Sequence, residues 1–403
     1  MKWQQQTSSE LHRHAREIFD HALSAVDPRQ AVKNAHLDLS SGPIYSIAIG
    51  KAATSMARGL EDALGDKLTA PVLIAMAGHP LPDENSLAAA QAAFALLDRA
   101  NTEEATVIFL ISGGGSAMIE WPVSAEISLG DLQAANRTLI SCGVSIAEVN
   151  AVRRAFSAVK GGELARRAQQ ATTFTLIVSD TNPGDEASVA SGPTLNPPPG
   201  SPKAIEVVEH YQLESLLPES IMKAVREAKP STAAMNGPHQ VLLDNNTALT
   251  AARDKAIELG FSCTILNEIH EQPIAEGCEL LLSSLMSSAT ECILSGGEFS
   301  CPVRGDGRGG RNLETVLRCA IGLAKHTGVV FSAGTDGIDG NSPAAGAIAD
   351  QTTILRARNL GLDANQYLER SDSYSFFERL NDLIVTGPTG TNVRDLRILL
   401  RSP

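Results

Sequence analysis

The stretch IYSIAIGKAATSMARGLEDAL, Ile44 to Leu64, holds the reading that decides the fold. A β-branched and apolar run, Ile44 to Ile49, is cut off by Gly50 and Lys51. From Ala52 onward the apolar positions Ala52, Met56, Leu60 and Leu64 recur every four residues. The first part reads as a buried strand and the second as one face of a helix. The same succession, a short apolar run into a polar, glycine-rich loop, returns along the chain. ATVIFLI (105–111) runs into SGGGS (112–116), and TFTLIVS (173–179) into DTNPGDEASVASGPT (180–194). ECILS (291–295) leads to GGEFS (296–300), GVVFSAG (328–334) to TDGIDG (335–340), and DLIVTG (382–387) to PTGTNVRDL (388–396). Strands alternating with helices predict α/β domains with largely parallel sheets. In such sheets ligands bind beyond the carboxyl ends of the strands, where all of these loops are expected to fall.

A chain of 403 residues is long enough for two domains with full cores. The proline- and glycine-bearing stretch KPSTAAMNGPH (229–239) precedes a fresh strand–helix–strand pattern, QVLLDNNTALTAARDKAIELGFSCTIL (240–266). The domain boundary is therefore expected near residue 236, giving domains 1–235 and 236–403. A net charge of −13 disfavours nucleic acid or an anionic membrane as partner. No apolar run approaches the roughly 18 residues of a membrane helix, and the polar start, MKWQQQTSSELHRHAREIFD, has no signal-peptide core. The six cysteines include no C-x-x-C pair and no zinc spacing, which fits reduced core thiols in a cytosolic protein.

The motifs point to anion chemistry without a P-loop. GDGRGG (305–310) matches G-x-G-x-x-G, but no acidic residue stands at the end of the following strand, where a dinucleotide fold needs one. AIGKAATS lacks the Walker A spacing, and H-E-x-x-H and G-x-S-x-G are absent. Lys51 and the pair Arg308 and Arg311 stand at predicted helix starts, where the dipole disfavours cations. A bound anion would offset that and take the exposed amides. The glycines of SGGGS leave backbone amides uncovered in the same way. Asp180, Asp185, Asp306, Asp336 and Asp339 lie in these loops, where aspartate usually makes Asx-turns or caps. Mg²⁺ needs only one or two carboxylates when phosphates complete its shell, and Asp180 and Asp336, each just past a strand end, suit it best. His79, in GHPLPD (78–83), is a candidate base.

Taken together, IGKAATSMARGLEDAL, GHPLPDENS, LISGGGSAMIEWP, ASVASGPT, LSGGE, GRGGRNLE, AGTDGIDG and TGPTGTNVRDL resemble the class II glycerate kinases, the family with a C-terminal MOFRL domain. The long stretch SLGDLQAANRTLISCGVSIAEVNAVRRAFSAVKGGELA belongs to the same likeness, which runs over nearly the whole chain. The resemblance implies a two-domain α/β protein: an N-terminal Rossmann-like three-layer αβα domain, and a C-terminal α/β MOFRL-type domain with a mostly parallel mixed sheet. It places the active site in the interdomain cleft. It implies ATP-dependent phosphorylation of D-glycerate at the 2-hydroxyl, giving 2-phosphoglycerate and ADP, with Mg²⁺ or another divalent cation, in the cytoplasm. Lys51 and Arg311 correspond to the family's essential basic residues, and Asp180 is expected to join them in catalysis. Ser112, Gly113, Gly114, Gly115, Ser116, Asn312, Asp336 and Asn392 are expected to bind substrate or nucleotide, and Asp180 and Asp336 the metal. The partners are then small molecules, a sugar acid and a nucleotide, with a homo-oligomer left open.

The chain departs from the family pattern in places. A segment like VTKYGH is missing before GHPLPD, SDVPGD reads SDTNPGD, GGET reads GGEF, and GRNQE reads GRNLE. These leave Lys51, Arg311 and SGGGS in place and leave room for a different small sugar acid. The competing activity is an NAD(P)H-dependent hydroxypyruvate reductase, a label given to relatives of this family; the missing acidic partner of GDGRGG speaks against it.

Overall fold

The computed structural model describes residues 8–402 apart from 40, 79, 144, 229–236 and 325. His79 and the expected boundary near residue 236 thus lie outside the described residues. The chain forms two compact units, residues 28–243 and the segments up to Asp27 and from Asp244 onward.

The first unit is built on β1 (Ile44–Ile49), β2 (Leu73–Ala75), β3 (Thr106–Ser112), β4 (Thr172–Val178) and β5 (His239–Leu243). They form one sheet in the order β2-β1-β3-β4-β5, and every pairing is parallel. β1 and β3 are buried along their whole length, as central parallel strands covered on both faces must be. The crossover helices are Ala53–Leu64, between β1 and β2, and Glu84–Thr102, between β2 and β3. The second is started by a capping box in which Asp83 accepts from the Ser86 amide. The strand order reverses between β1 and β3, so the loops after these two strands flank the crevice where open α/β sheets bind ligands.

The second unit carries β6 (Cys263–Ile265), β7 (Cys292–Ser295), β8 (Val329–Gly334), β9 (Gly346–Asp350), β10 (Leu383–Ile384) and β11 (Asp395–Leu400), in the order β10-β9-β8-β11-β7-β6. The sheet is mixed, as expected, but mostly antiparallel instead of mostly parallel: among the described residues only β6 and β7 pair parallel, and the other four pairings are antiparallel. The causes are β11, which enters between β7 and β8 and runs against both, and β9, which lies between β8 and β10 and runs against both. In direction, however, β6, β7, β8 and β10 all point the same way, so the loops after β7, β8 and β10 still share one edge.

Strand alternation divides the core of this unit into two. Val329, Phe331 and Ala333 of β8 face one side, with Leu11, Ile18 and Phe19 of helix Ser8–Ala25 and Leu249 and Ala252 of helix Asn245–Glu258. Val330 faces the other, with Leu281 and Leu285 of helix Ile274–Ser287 and Leu313, Val316 and Leu317 of helix Arg311–Leu323. The units therefore divide the chain differently from the expected 1–235 and 236–403. Helix Ser8–Ala25 has an apolar stripe, Leu11, Ala15, Ile18, Phe19 and Ala22, that covers the second sheet. β5, which follows the expected boundary, belongs to the first sheet.

Candidate functional site

In the first unit the loops after β1 and β3 are tied together. Gly50 has φ +111°, and a side chain there would put its Cβ 2.3 Å from the Ser112 carbonyl oxygen, so only glycine fits. The Lys51 amide donates to the Gly113 carbonyl at 2.9 Å. The Ser112 hydroxyl accepts from the Ala52 amide at 3.0 Å and donates to the Ile49 carbonyl at 3.1 Å. Ser112 is fully buried, so its hydroxyl shapes the loop and is spent on it. Gly114 has φ +78°, and the stem of half-buried Lys51 lies over it, with Cγ 2.9 Å from where a Cβ would stand. Gly115 is enclosed by Ile49 and Ala190. The loop bonds from Lys51 to Gly113 and from Met118 to Gly115 use the loop's carbonyls, which suits a loop whose amides serve a ligand.

Ser116 ends this loop and leads to residues that local spacing did not single out. Its hydroxyl lies 2.8 Å from that of Ser191, which donates to Asn150 Oδ1 at 2.8 Å. Ala190 and Ser191 both sit at positive φ, +52° and +62°, a conformation that residues with side chains rarely hold outside functional loops. Ser191 and Asn150 fall in motifs quoted above, ASVASGPT and the stretch containing EVNAVRRAF, but nothing in their spacing marked them. Asp180 stands half-buried just beyond β4, one strand further along the same edge.

In the second unit the centre is Arg311, the first residue of its helix. Its guanidinium donates to Asp395 at 2.6 and 3.2 Å and pairs with Glu298 at 2.6 Å. Burial alone would lower the Arg311 pKa; Asp395 and Glu298 reverse this and hold it well above the usual guanidinium value. Burial likewise pushes Asp395 up, and Arg311 outweighs it, so Asp395 stays an anion. Arg397, fully buried, stacks on Phe299 at 3.6 Å and donates to the carbonyls of Gly296 and Gly297, fixing the loop after β7. Asn245 closes the same loop, accepting from the Gly297 amide at 2.9 Å and donating to Val393 and Asp395 carbonyls.

The expected anion at the helix start is supplied by the protein itself. Asp339 accepts from the Asn312 and Leu313 amides at 3.1 and 2.8 Å, filling the helix terminus. Asn312 is buried, accepts from Ser332 and donates to Asp339 and Asp395, so its side chain positions these carboxylates. Arg308 stacks its guanidinium on Tyr374 at 4.3 Å. The glycines of GDGRGG are explained by packing: Gly305 and Gly307 press on the Arg370 carbonyl, and Gly310 on Asp339. With those amides capped, the segment lacks the open helix start of a dinucleotide site. Asp336 accepts from the Ile338 amide at 3.2 Å, an Asx-turn, and Asn392 accepts from the Arg394 amide at 3.3 Å. Thr335 links their loops, donating to the Arg394 carbonyl and accepting from the Val393 amide. Among the described residues, no three His, Cys, Asp or Glu side chains gather as a metal centre.

Asp339 makes a testable electrostatic mark. Burial raises its pKa to about 7, against the two amides that favour its anion, and the neighbouring Asp395 pushes the same way. A carboxyl with a folded pKa above its unfolded one penalises folding at pH above 7, and the penalty shrinks as pH falls toward 4. The stability of wild type relative to Asp339→Asn should therefore rise between pH 8 and pH 5 in denaturant titrations. A pH-independent difference would contradict this.

The chain matches the family described as a domain of unknown function, DUF4147, over residues 14–226, and the MOFRL family over residues 291–395. It is 35% identical to the D-glycerate 2-kinase of Thermotoga maritima, over 95% of this chain and 96% of that one. The chain belongs to the class II glycerate kinase family. Another similar protein of this glycerate kinase family is the glycerate 2-kinase of Pyrococcus horikoshii, 33% identical over 95% of this chain and 96% of that one. A protein of Agrobacterium vitis with the provisional name of hydroxypyruvate reductase is 35% identical, over 96% and 93%. Among solved structures, the crystal structure of glycerate kinase from Thermotoga maritima superposes with a TM-score of 0.82 at 33% identity, covering 98% of this chain and all of that one. The two-domain α/β fold expected of a class II glycerate kinase is thus the fold found.

Proposed function

We propose that the protein transfers a phosphoryl group from ATP to the 2-hydroxyl of D-glycerate, giving 2-phosphoglycerate and ADP. The observation that carries this is the likeness to a D-glycerate 2-kinase over 95% of the chain. The geometry supports it: a lysine on a glycine loop at a topological switch point, and an arginine clamped by two carboxylates at a strand-end edge. Phosphoryl transfer is mostly positioning and neutralisation of charge, which cations and amides supply without a covalent nucleophile. In this reading Lys51 neutralises the transferred group, the SGGGS amides hold anionic oxygens, and Arg311 binds phosphate through the edge its carboxylate partners leave open. A divalent cation, Mg²⁺ in this proposal, would shield charge on the nucleotide phosphates. Asp180, a half-buried carboxylate past the end of β4, suits an ion that takes one or two carboxylates, and Asp336 is the second candidate. The capped amides beside GDGRGG count against the reductase reading.

One assay tests the proposal. ADP release with ATP, Mg²⁺ and D-glycerate is expected to depend on D-glycerate, with no NADH oxidation by hydroxypyruvate. NADH oxidation without ADP release would overturn it, and ADP release with a different small sugar acid alone would move the substrate but keep the kinase.

A further inference from the structure

Asn150 and Arg154 lie one turn apart on helix Ile146–Phe156, and therefore on the same face. Asn150 is only 1% exposed; its Oδ1 accepts from Ser191, yet its Nδ2 has no partner among the described residues. Buried polar atoms are paired in nearly all native structures, and an unpaired one calls for an explanation. Arg154, half-buried, has no hydrogen-bonded or ionic partner among the described residues. Its stem packs on Gly161, where a Cβ would stand 2.7 Å from Cδ, and the Gly161 amide donates to the Ser191 carbonyl at 3.2 Å. Ser191 thus joins all these groups: its backbone to Gly161 under Arg154, its hydroxyl to Asn150 and to Ser116 of the SGGGS loop.

An uncompensated guanidinium and an unpaired amide on one helix face lack one thing, an anion. The neighbouring charges show the contrast. Arg153, the preceding residue of the helix, donates to Asn136 at 2.9 Å, and buried Lys160 is paired with Glu120. Burial also depresses the Arg154 pKa, with no carboxylate to restore it. A planar carboxylate matches the guanidinium fork and can accept from the asparagine amide as well.

Resting on the kinase reading above, we infer that Arg154 and Asn150 bind the carboxylate of the sugar-acid acceptor. They leave the transferred phosphoryl group to Lys51 and the glycine loop. This part of the first unit then selects acids over the corresponding neutral polyols.

Arg154→Gln and Arg154→Lys test this by steady-state kinetics and by thermal shift with D-glycerate alone. In Arg154→Gln the KM for D-glycerate is expected to rise about 10–100-fold, with the KM for ATP unchanged and the D-glycerate thermal shift lost. Arg154→Lys, which keeps the charge but not the fork, should fall between. The thermal midpoint without ligand should hold or rise, because the variant removes an uncompensated charge. A D-glycerate KM at the wild-type value, or a rise in the ATP KM alone, would overturn the assignment, as would a fall in the ligand-free midpoint with unchanged KM. If wild type itself neither turns over nor shifts with D-glycerate, the kinase reading fails first, and that outcome is separate from any change in the variants.

Discussion

Arg311→Met is expected to lower turnover at saturating ATP and D-glycerate by about 10³-fold, the effect of removing a preorganised cation from phosphoryl transfer. The same change should cost stability, because Asp395 is buried and loses both of its hydrogen bonds from Arg311. Breaking a buried pair costs about 3–5 kcal/mol, and since the Arg311 side chain is 34% exposed, water should reduce this to about 2 kcal/mol. Asn312 and Arg397 remain near Asp395 and keep it from being stranded. Arg311→Lys should recover much of the stability, having restored the charge, and little of the turnover, lacking the fork. Turnover of Arg311→Met within a few fold of wild type would remove Arg311 from the reaction. A stability match with wild type would mean that Asn312 and Arg397 suffice for Asp395.

Lys51→Met should separate the two effects. Methionine keeps the length and apolar stem that cover Gly114, so the loop should hold and the thermal midpoint should move little. Removing the ammonium should still lower kcat by about 10²–10³-fold with both substrates saturating. A kcat close to wild type would exclude Lys51 from charge neutralisation. A large drop in midpoint would instead show that the ammonium holds the loops after β1 and β3 together.

How much of this was legible in the sequence follows from where the information lies. A strand running into glycine and then helix is local, and IYSIAIGKAATSM and ATVIFLISGGGS showed it within a few residues. The edge carrying the loops could be anticipated from those segments alone. The antiparallel insertion of β11 could not, because its partners, β7 and β8, are distant in sequence and apolar strands carry no mark of their neighbours. For the same reason helix Ser8–Ala25 showed its stripe but not which sheet it covers. At the site, Lys51 and Arg311 stood out by charge at predicted helix starts. The carboxylates that answer Arg311 did not: Asp395 belongs to β11, and Asp339 reads locally as one more loop aspartate. Asn150 and Arg154 were hidden for the opposite reason, since a polar side chain on a helix looks solvated until its surroundings are known.

The position of β11 also has a consequence for synthesis. Residues 28–243 contain every strand of the first sheet, so that unit can close while the ribosome is still translating. The other sheet is split down its middle until residues 395–400 emerge. Helix Ser8–Ala25, made before every strand of that sheet, must wait for it with Leu11, Ile18 and Phe19 uncovered. Nascent chains of this protein should therefore present a sticky helix until the second sheet is made, a natural client for ribosome-associated chaperones.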